Sequence, residues 1–302
     1  MAGIKELRVR IKSVGNIKQI TRAMEMVAST KLRRFQDRAI ASRPYSQEIA
    51  GLVSRLSSML GDDVADQPLF NPGKGERSLV LLITSDRGLC GAYNTQLFRE
   101  MEEWLSSRQA EGFTRETTDF FVYGRKGAQY LSSRGYSVKR FITDPPMEEV
   151  DYRTAALTGR MLVDEFETGD YKDVHVMFTA FESMVKYLPQ IVPFLPLTPE
   201  ALGVSGGSGG GAGAGASQDA IMEPDAGTIF ESLVPRYLEI MIYNSLLESL
   251  TSEYASRRFA MKNATDAATD MQKELKGIYN RKRQENITKE LLDIVGATEA
   301  MN

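Results

Sequence analysis

Near the start of the chain, apolar residues recur at Ile4, Leu7, Ile11 and Val14, then at Ile17, Ile20, Met24, Val27, Leu32 and Phe35. Steps of three and four with a phase slip after Val14 describe a helix with a coiled-coil stripe and a stammer, because a strand would alternate every second residue. The stripe continues through Ile49, Leu52, Val53, Leu56 and Leu60, and the helix is expected to stop near Gly61-Asp62-Asp63. A second stripe runs Leu246, Leu250, Tyr254, then Ala264, Ala268, Met271, Leu275, Ile278, and again Ile287, Leu291 and Val295. It predicts a helix of about 70 residues, roughly 105 Å long at 1.5 Å per residue. The placement of proline agrees: all 11 prolines lie between Pro44 and Pro235, leaving both ends of the chain free of the residue that most strongly breaks helices.

A compact globule of this length is about 50 Å across by radius-of-gyration scaling, so the last helix is expected to protrude. Helices this long are held by packing more than by propensity and need a partner along the stripe. The N-terminal helix, about 60 residues and roughly 90 Å, is the obvious partner but is shorter. Some apolar C-terminal surface is left for another protein.

Between the helices the period changes. Leu79-Val80-Leu81-Leu82-Ile83 is apolar throughout and ends in Thr84-Ser85-Asp86-Arg87-Gly88, followed by a helical stretch from Asn94 to Gln109. Strand Phe120–Tyr123 then precedes a helix over Gly127–Ser133, Tyr136–Ile142 precedes a helix over Arg153–Glu167, and strand Val174–Phe181 follows. Strands alternating with helices, the first strand apolar throughout, predict a parallel sheet covered on both faces, a Rossmann-like α/β domain. The tract Gly203–Ser217 holds eight of the 25 glycines without periodicity and is expected to be a flexible linker. The expected layout is an N-terminal coiled-coil helix over 1–61, the Rossmann-like domain over 77–200, the Gly-rich tract over 203–217 and a C-terminal coiled-coil helix over 220–302.

Composition narrows the chemistry. The 302 residues include one Cys, one His and one Trp, and 42% are hydrophobic. A structural zinc site needs about four Cys or His ligands, and neither a disulfide framework nor a two-cysteine redox motif can be built on Cys90 alone. No run approaches the roughly 18 apolar residues of a membrane span, and the opening MAGIKELRVR has no apolar signal core, so no membrane helix and no secretory signal are expected.

Candidate sites are few. G-x-G-x-x-A occurs at Gly207, Gly209 and Ala212, but without the strand before and helix after that a dinucleotide fingerprint requires. No G-x-x-x-x-G-K-[ST] occurs, so no bound triphosphate and no cofactor are expected. Asp86 sits where open α/β sheets bind ligands, at the carboxyl end of a strand. With no second acid, Lys or His of obvious role beside it, a polar turn serves as well. His175 lies in a strand without a Ser or Cys partner in a triad motif, and Cys90 suits a buried thiol. Residues 1–43 carry 11 Lys and Arg against three acids, while the whole chain sums to -3. Such a helix could face an acidic protein, nucleic-acid phosphates or solvent, and with only Phe35 among its aromatics base stacking is unsupported.

Ile17–Arg34, IKQITRAMEMVASTKLRR, and Arg257–Ala297, RRFAMKNATDAATDMQKELKGIYNRKRQENITKELLDIVGA, closely resemble the two ends of the gamma subunit of F-type ATP synthase. SDRGLCGAYN, Ser85–Asn94, resembles that family's middle-domain motif, and the order of long helix, α/β domain and longer helix matches over nearly the whole chain. The Gly/Ala/Ser tract looks like an insertion. The resemblance implies an antiparallel coiled coil of the terminal helices, entering a ring of alternating alpha and beta subunits, with the α/β domain contacting epsilon and the membrane c-ring. The chain would then be a non-catalytic rotor, with no metal, no nucleic acid and only indirect membrane contact through the c-ring, peripheral on the cytoplasmic side of a bacterial inner membrane.

By matching positions, Arg283, Gln284 and Thr288 fall where the family's shaft meets a catch loop of a catalytic beta subunit. Met24 falls where the N-terminal helix meets an acidic lever segment, with Lys18, Arg22, Lys31, Arg33 and Arg34 supplying complementary charge. Gly15 and Gly277, each costing roughly 1 kcal/mol in a helix interior, would permit close helix approach or twist. A different class remains beside this one: a Rossmann-like enzyme with coiled-coil dimerisation arms, using Asp86.

Overall fold

The structure, a computed structural model, describes residues 3–61, 67–184, 186–197 and 225–299. The chain divides into two units, one of Met1–Thr30 with Arg257–Asn302 and one of Lys31–Ser256. The Gly203–Ser217 tract, with its G-x-G-x-x-A, lies outside the described residues.

The first helix, α1, spans Ile4–Leu60, and the last, α5, spans Ala226–Glu299. Gly61 follows α1 at φ 51°, a left-handed conformation open to glycine without steric cost. At the other end, Asp225 starts α5: its carboxylate accepts the Thr228 backbone N–H at 2.9 Å and the Thr228 hydroxyl at 2.7 Å. Pro44 and Pro235 lie inside these helices and end neither. An interior proline costs about 3 kcal/mol or more. Around Pro235 the buried Phe230, Val234, Leu238 and Ile242 supply packing to offset it.

In the second unit, β1 (Arg77–Ile83), α2 (Tyr93–Ser107), β2 (Thr118–Tyr123), α3 (Arg125–Ser133), β3 (Ser137–Ile142), α4 (Tyr152–Glu167), β4 (Tyr171–Phe181) and β5 (Tyr187–Leu195) follow in order. The sheet order is β3-β2-β1-β4-β5. β1 is parallel to β2 and β4, and β2 to β3. β1 is central, and from Ser78 to Ile83 every residue is buried, as its unbroken apolar run requires.

The expectation of a parallel sheet covered on both faces needs two corrections. A fifth strand, β5, which the pattern of residues does not predict, pairs antiparallel with β4. It carries Pro189 and Pro193, which weaken a strand signal but are tolerated at a sheet edge, where a nitrogen without hydrogen can face away from the ladder. At the opposite edge, β3 has no fully buried residue. Below the sheet, the carboxylate of Asp173 holds Arg108 at 2.6 Å, and Ser78 donates to it as well. Asp119 holds Arg77 through two bonds of 2.9 and 2.6 Å.

A closed crevice and an exposed helix end

Strand order reverses between β1 and β4, the position where an open α/β sheet ordinarily offers a ligand crevice beyond its strand ends. In this protein the crevice is filled by its own chain. Ser249 on α5 accepts the Thr179 backbone N–H at 3.2 Å, and Ser252 donates to the Thr179 carbonyl at 3.1 Å. Ser256 donates to the Cys90 carbonyl at 2.6 Å and lies 2.9 Å from the Tyr187 hydroxyl. Short side chains let the helix backbone come close, and their hydroxyls answer the peptide groups it covers. Every residue from Ser249 to Ser256 is buried.

The turn after β1 is equally committed. Asn94 accepts the Ser85 N–H at 3.1 Å and donates to the Ser85 hydroxyl at 2.7 Å and the Cys90 sulfur at 3.3 Å. Asp86 accepts the Arg125 backbone N–H at 3.1 Å, with the Arg125 guanidinium 4.0 Å away, so it caps the start of α3. Gly124 and Gly127 are required here: a Cβ would fall 2.1 Å from the Thr84 carbonyl oxygen at the first and 2.7 Å from the Thr84 hydroxyl at the second. Tyr93, fully buried against this region, has its phenol pushed far up by burial and by Glu253, which leaves it a neutral group rather than a base.

The other candidates fall to structural roles as well. His175 packs edge-on to Trp104 at 5.0 Å and lies 3.4 Å from Asp173. Cys90 is a buried free thiol. Among the described residues no group of three or more His, Cys, Asp and Glu could hold a metal ion, and no helix is long and apolar enough to cross a membrane.

The described part of the first unit belongs almost entirely to α1 and α5. Leu7, Thr21 and Ala28 of α1 are buried, as are Met261, Thr265 and Ala268 of α5. The Thr265 hydroxyl donates to that of Thr21 at 2.8 Å, and Arg8 donates to the Tyr279 hydroxyl at 3.1 Å. That bond raises the pKa of Arg8 and lowers that of Tyr279. A Cβ on Gly15 would stand 3.0 Å from the Gln272 side-chain nitrogen, so close approach holds there. It does not hold at Gly277, where a Cβ would meet nothing within 4 Å.

Met24 is half-buried, whereas Arg283, Gln284 and Thr288 are exposed. From Arg283 to Ala297 every residue is exposed, including Ile287, Leu291, Leu292 at 66%, Ile294 and Val295. Of the cations assigned by resemblance to a partner, Arg22, Arg33 and Arg34 are exposed. Lys31 is not free for that purpose, because it pairs with Glu148 and lies 3.3 Å from the Tyr254 hydroxyl. Sequence reasoning also missed Glu148 and the α5 serines. Ser249, Ser252 and Ser256, spaced three and four apart, were a legible polar stripe, but a polar stripe ordinarily faces water.

Fold and site together define an α/β protein whose ligand crevice is occupied by one of two very long helices and whose last helix ends in an exposed stretch, an architecture suited to a structural subunit. A family described as ATP synthase matches residues 3–301. The ATP synthase gamma chain of Cytophaga hutchinsonii is 35% identical over 302 residues, covering all of both chains. That of Mycobacterium leprae is 38% identical, covering 99% of this chain and 98% of the relative. Among solved structures, a chain of the Euglena gracilis mitochondrial ATP synthase OSCP/F1/c-ring assembly aligns with a TM-score of 0.65 at 19% identity, covering 99% of this chain and 94% of that one. A chain of the Tetrahymena thermophila central stalk/c-ring gives 0.58 at 24% identity, covering 81% and 99%. The chain belongs to the ATP synthase gamma-chain family, whose members are non-catalytic subunits of the complex.

Proposed function

We propose that this chain is the central rotor shaft of a proton-translocating F-type ATP synthase, carrying torque between a membrane c-ring and the catalytic beta subunits. The observation that carries this beyond family membership is the end of α5, where Ile287, Leu291, Leu292 and Val295 are all exposed. Four large aliphatic side chains at this end stay largely in water and forgo part of the roughly 1.5–3 kcal/mol that full burial of each gives. A surrounding protein surface would recover that energy.

An antiparallel coiled coil of α1 with α5 is part of the reading. Support comes from the contacts Arg8 to Tyr279, Gly15 beside Gln272 and Thr21 to Thr265, in which residue numbers rise along α1 and fall by nearly equal steps along α5. Continued, that register sets Ile4 opposite Arg283, so α5 from Gln284 onward outruns α1. The excess is the shaft tip, seated in a ring of alpha and beta subunits. Met24, Arg283, Gln284 and Thr288 are its polar and seam contacts with beta subunits, and the α/β domain over 77–200 meets epsilon and the c-ring. Association with the bacterial inner membrane is peripheral, through the complex on its cytoplasmic side, in keeping with the bacterial origin of the relatives.

Rotation does work only if the shaft binds the three catalytic states unequally, because a ligand with equal affinity for all states shifts none of them. Co-expression with alpha and beta subunits tests the reading. One copy of this chain per ring, with ATP hydrolysis dependent on its presence, is the expected result. A chain that remains alone, or self-dimerises, overturns it. Within the complex, Arg283→Ala with Gln284→Ala is expected to lower hydrolysis several-fold while assembly persists.

A further inference from the structure

Between β3 and α4 a short 3-10 turn, Met147–Glu149, drives into the second unit with Met147 and Val150 both buried. Its polar groups reach both long helices. Glu148 pairs with Lys31 of α1 through one oxygen and accepts the Tyr254 hydroxyl of α5 with the other. The Lys31 ammonium also stands 5.5 Å from the centre of the Tyr254 ring, and Phe35 packs on that ring at 5.4 Å. About two turns beyond Lys31 on α1, Arg38 donates to the Val150 carbonyl at 2.6 Å and to the Tyr243 hydroxyl of α5 at 3.3 Å. Burial works against the ionised Glu148, but Lys31, Tyr254 and Arg87 outweigh it and hold the carboxyl below its usual range.

Resting on the rotor reading above, we propose that Lys31, Glu148 and Tyr254 form the torsional joint that makes α1 turn with the sheet body and α5 as one piece. Apolar packing is non-directional, so ridges of aliphatic side chains alone resist sliding and rolling of a helix weakly. Charge-assisted hydrogen bonds depend steeply on distance and angle. A single carboxylate grips one helix with each oxygen, so neither helix can roll against the other without breaking a bond. α5 has further anchors on the body at Ser249, Ser252 and Ser256. α1 is tied to the β3–α4 turn through Lys31 and Arg38, and to α5 directly through Ser42, which donates to the Asn244 side-chain oxygen at 3.0 Å. α1 begins at Ile4 and α5 ends at Glu299. Lys31, Glu148 and Tyr254 are positioning residues, acting through the helices they lock.

The test uses the whole synthase in sealed vesicles and reads ATP-driven proton pumping and ATP hydrolysis on the same preparation. Glu148→Gln keeps the shape and a hydrogen-bond acceptor but removes the charge. It is expected to lower the pumping-to-hydrolysis ratio about two-fold or more at unchanged subunit stoichiometry, and the exchange Lys31→Glu with Glu148→Lys is expected to restore it. A merely structural role would reduce both activities together through poorer assembly and leave the ratio intact. Lys31→Gln, on a single half-exposed helical position, gives the same readout should Glu148→Gln assemble poorly. An unchanged ratio in assembled variants overturns the joint. Pumping by the unsubstituted complex that persists when this chain is omitted overturns the rotor reading instead.

Discussion

Two stretches of the same helix reverse the usual relation of hydropathy to burial. Ser249–Ser256 holds Ser249, Thr251, Ser252, Glu253 and Ser256, yet all eight residues are buried. Arg283–Ala297 holds Ile287, Leu291, Leu292, Ile294 and Val295, yet all are exposed. The difference shows what each stretch packs against. The first covers the rim of a sheet, where peptide groups demand hydrogen-bonding partners and small side chains permit a close approach. The second leaves Ile287, Leu291, Leu292 and Val295 exposed, an apolar surface of the kind that marks interaction sites.

The strongest way to break the comparison is to make the buried stretch apolar. Ser252→Leu adds volume against β4 and deprives the Thr179 carbonyl of a donor, and by overpacking and a lost hydrogen bond it is expected to destabilise the chain by about 3–4 kcal/mol in urea unfolding. Asp173→Asn is next. It strips Arg108 of its carboxylate in a largely buried setting and is expected to cost about 3 kcal/mol. The same group sets an acid limit. Although burial opposes ionisation, His175, Arg108 and Ser78 hold the Asp173 carboxyl well below its ordinary value. Its stabilisation is complete above about pH 4 and is lost as pH falls further, so stability of the unsubstituted chain declines there and that of Asp173→Asn declines less.

At the exposed end the expected effects are smaller. Gly277→Ala meets open space and removes a flexible residue from a helix interior, so a gain of about 0.5–1 kcal/mol in chain stability is expected. Leu291→Ser should change the stability of the isolated chain by less than about 0.5 kcal/mol, since the leucine covers little within it. The same substitution should weaken retention of the chain in the assembled complex. Equal losses in both settings would show that the helix end is covered by its own chain.

Elements with a strong local signature were legible in the residues themselves. The run Leu79–Ile83 reads as a buried strand because no exposed strand tolerates five consecutive aliphatics, and it is the central strand. The terminal stripes read as helices because three-and-four spacing fits only one backbone period, and those helices run through Pro44 and Pro235. β5 was not legible, because Pro189 and Pro193 argue against a strand until its position at an antiparallel edge is known. Nor was the fate of Asp86, whose sequence position suits a ligand site equally well until Arg125, 39 residues later, turns it into a cap.

By itself, then, the sequence determined where the long helices and central strands lie and which family the chain resembles. Those properties depend on periodicity, proline placement and motif, all written in neighbouring residues. Only the tertiary structure decided that the crevice is closed, that Lys31 faces Glu148 of its own chain, and that Ser249–Ser256 of α5 is buried while Ile287, Leu291, Leu292 and Val295 are exposed. Each of these depends on residues far apart in the chain, 117 positions for Lys31 and Glu148 and 166 for Cys90 and Ser256. No local pattern encodes which distant group will come to stand opposite a side chain; long-range packing does.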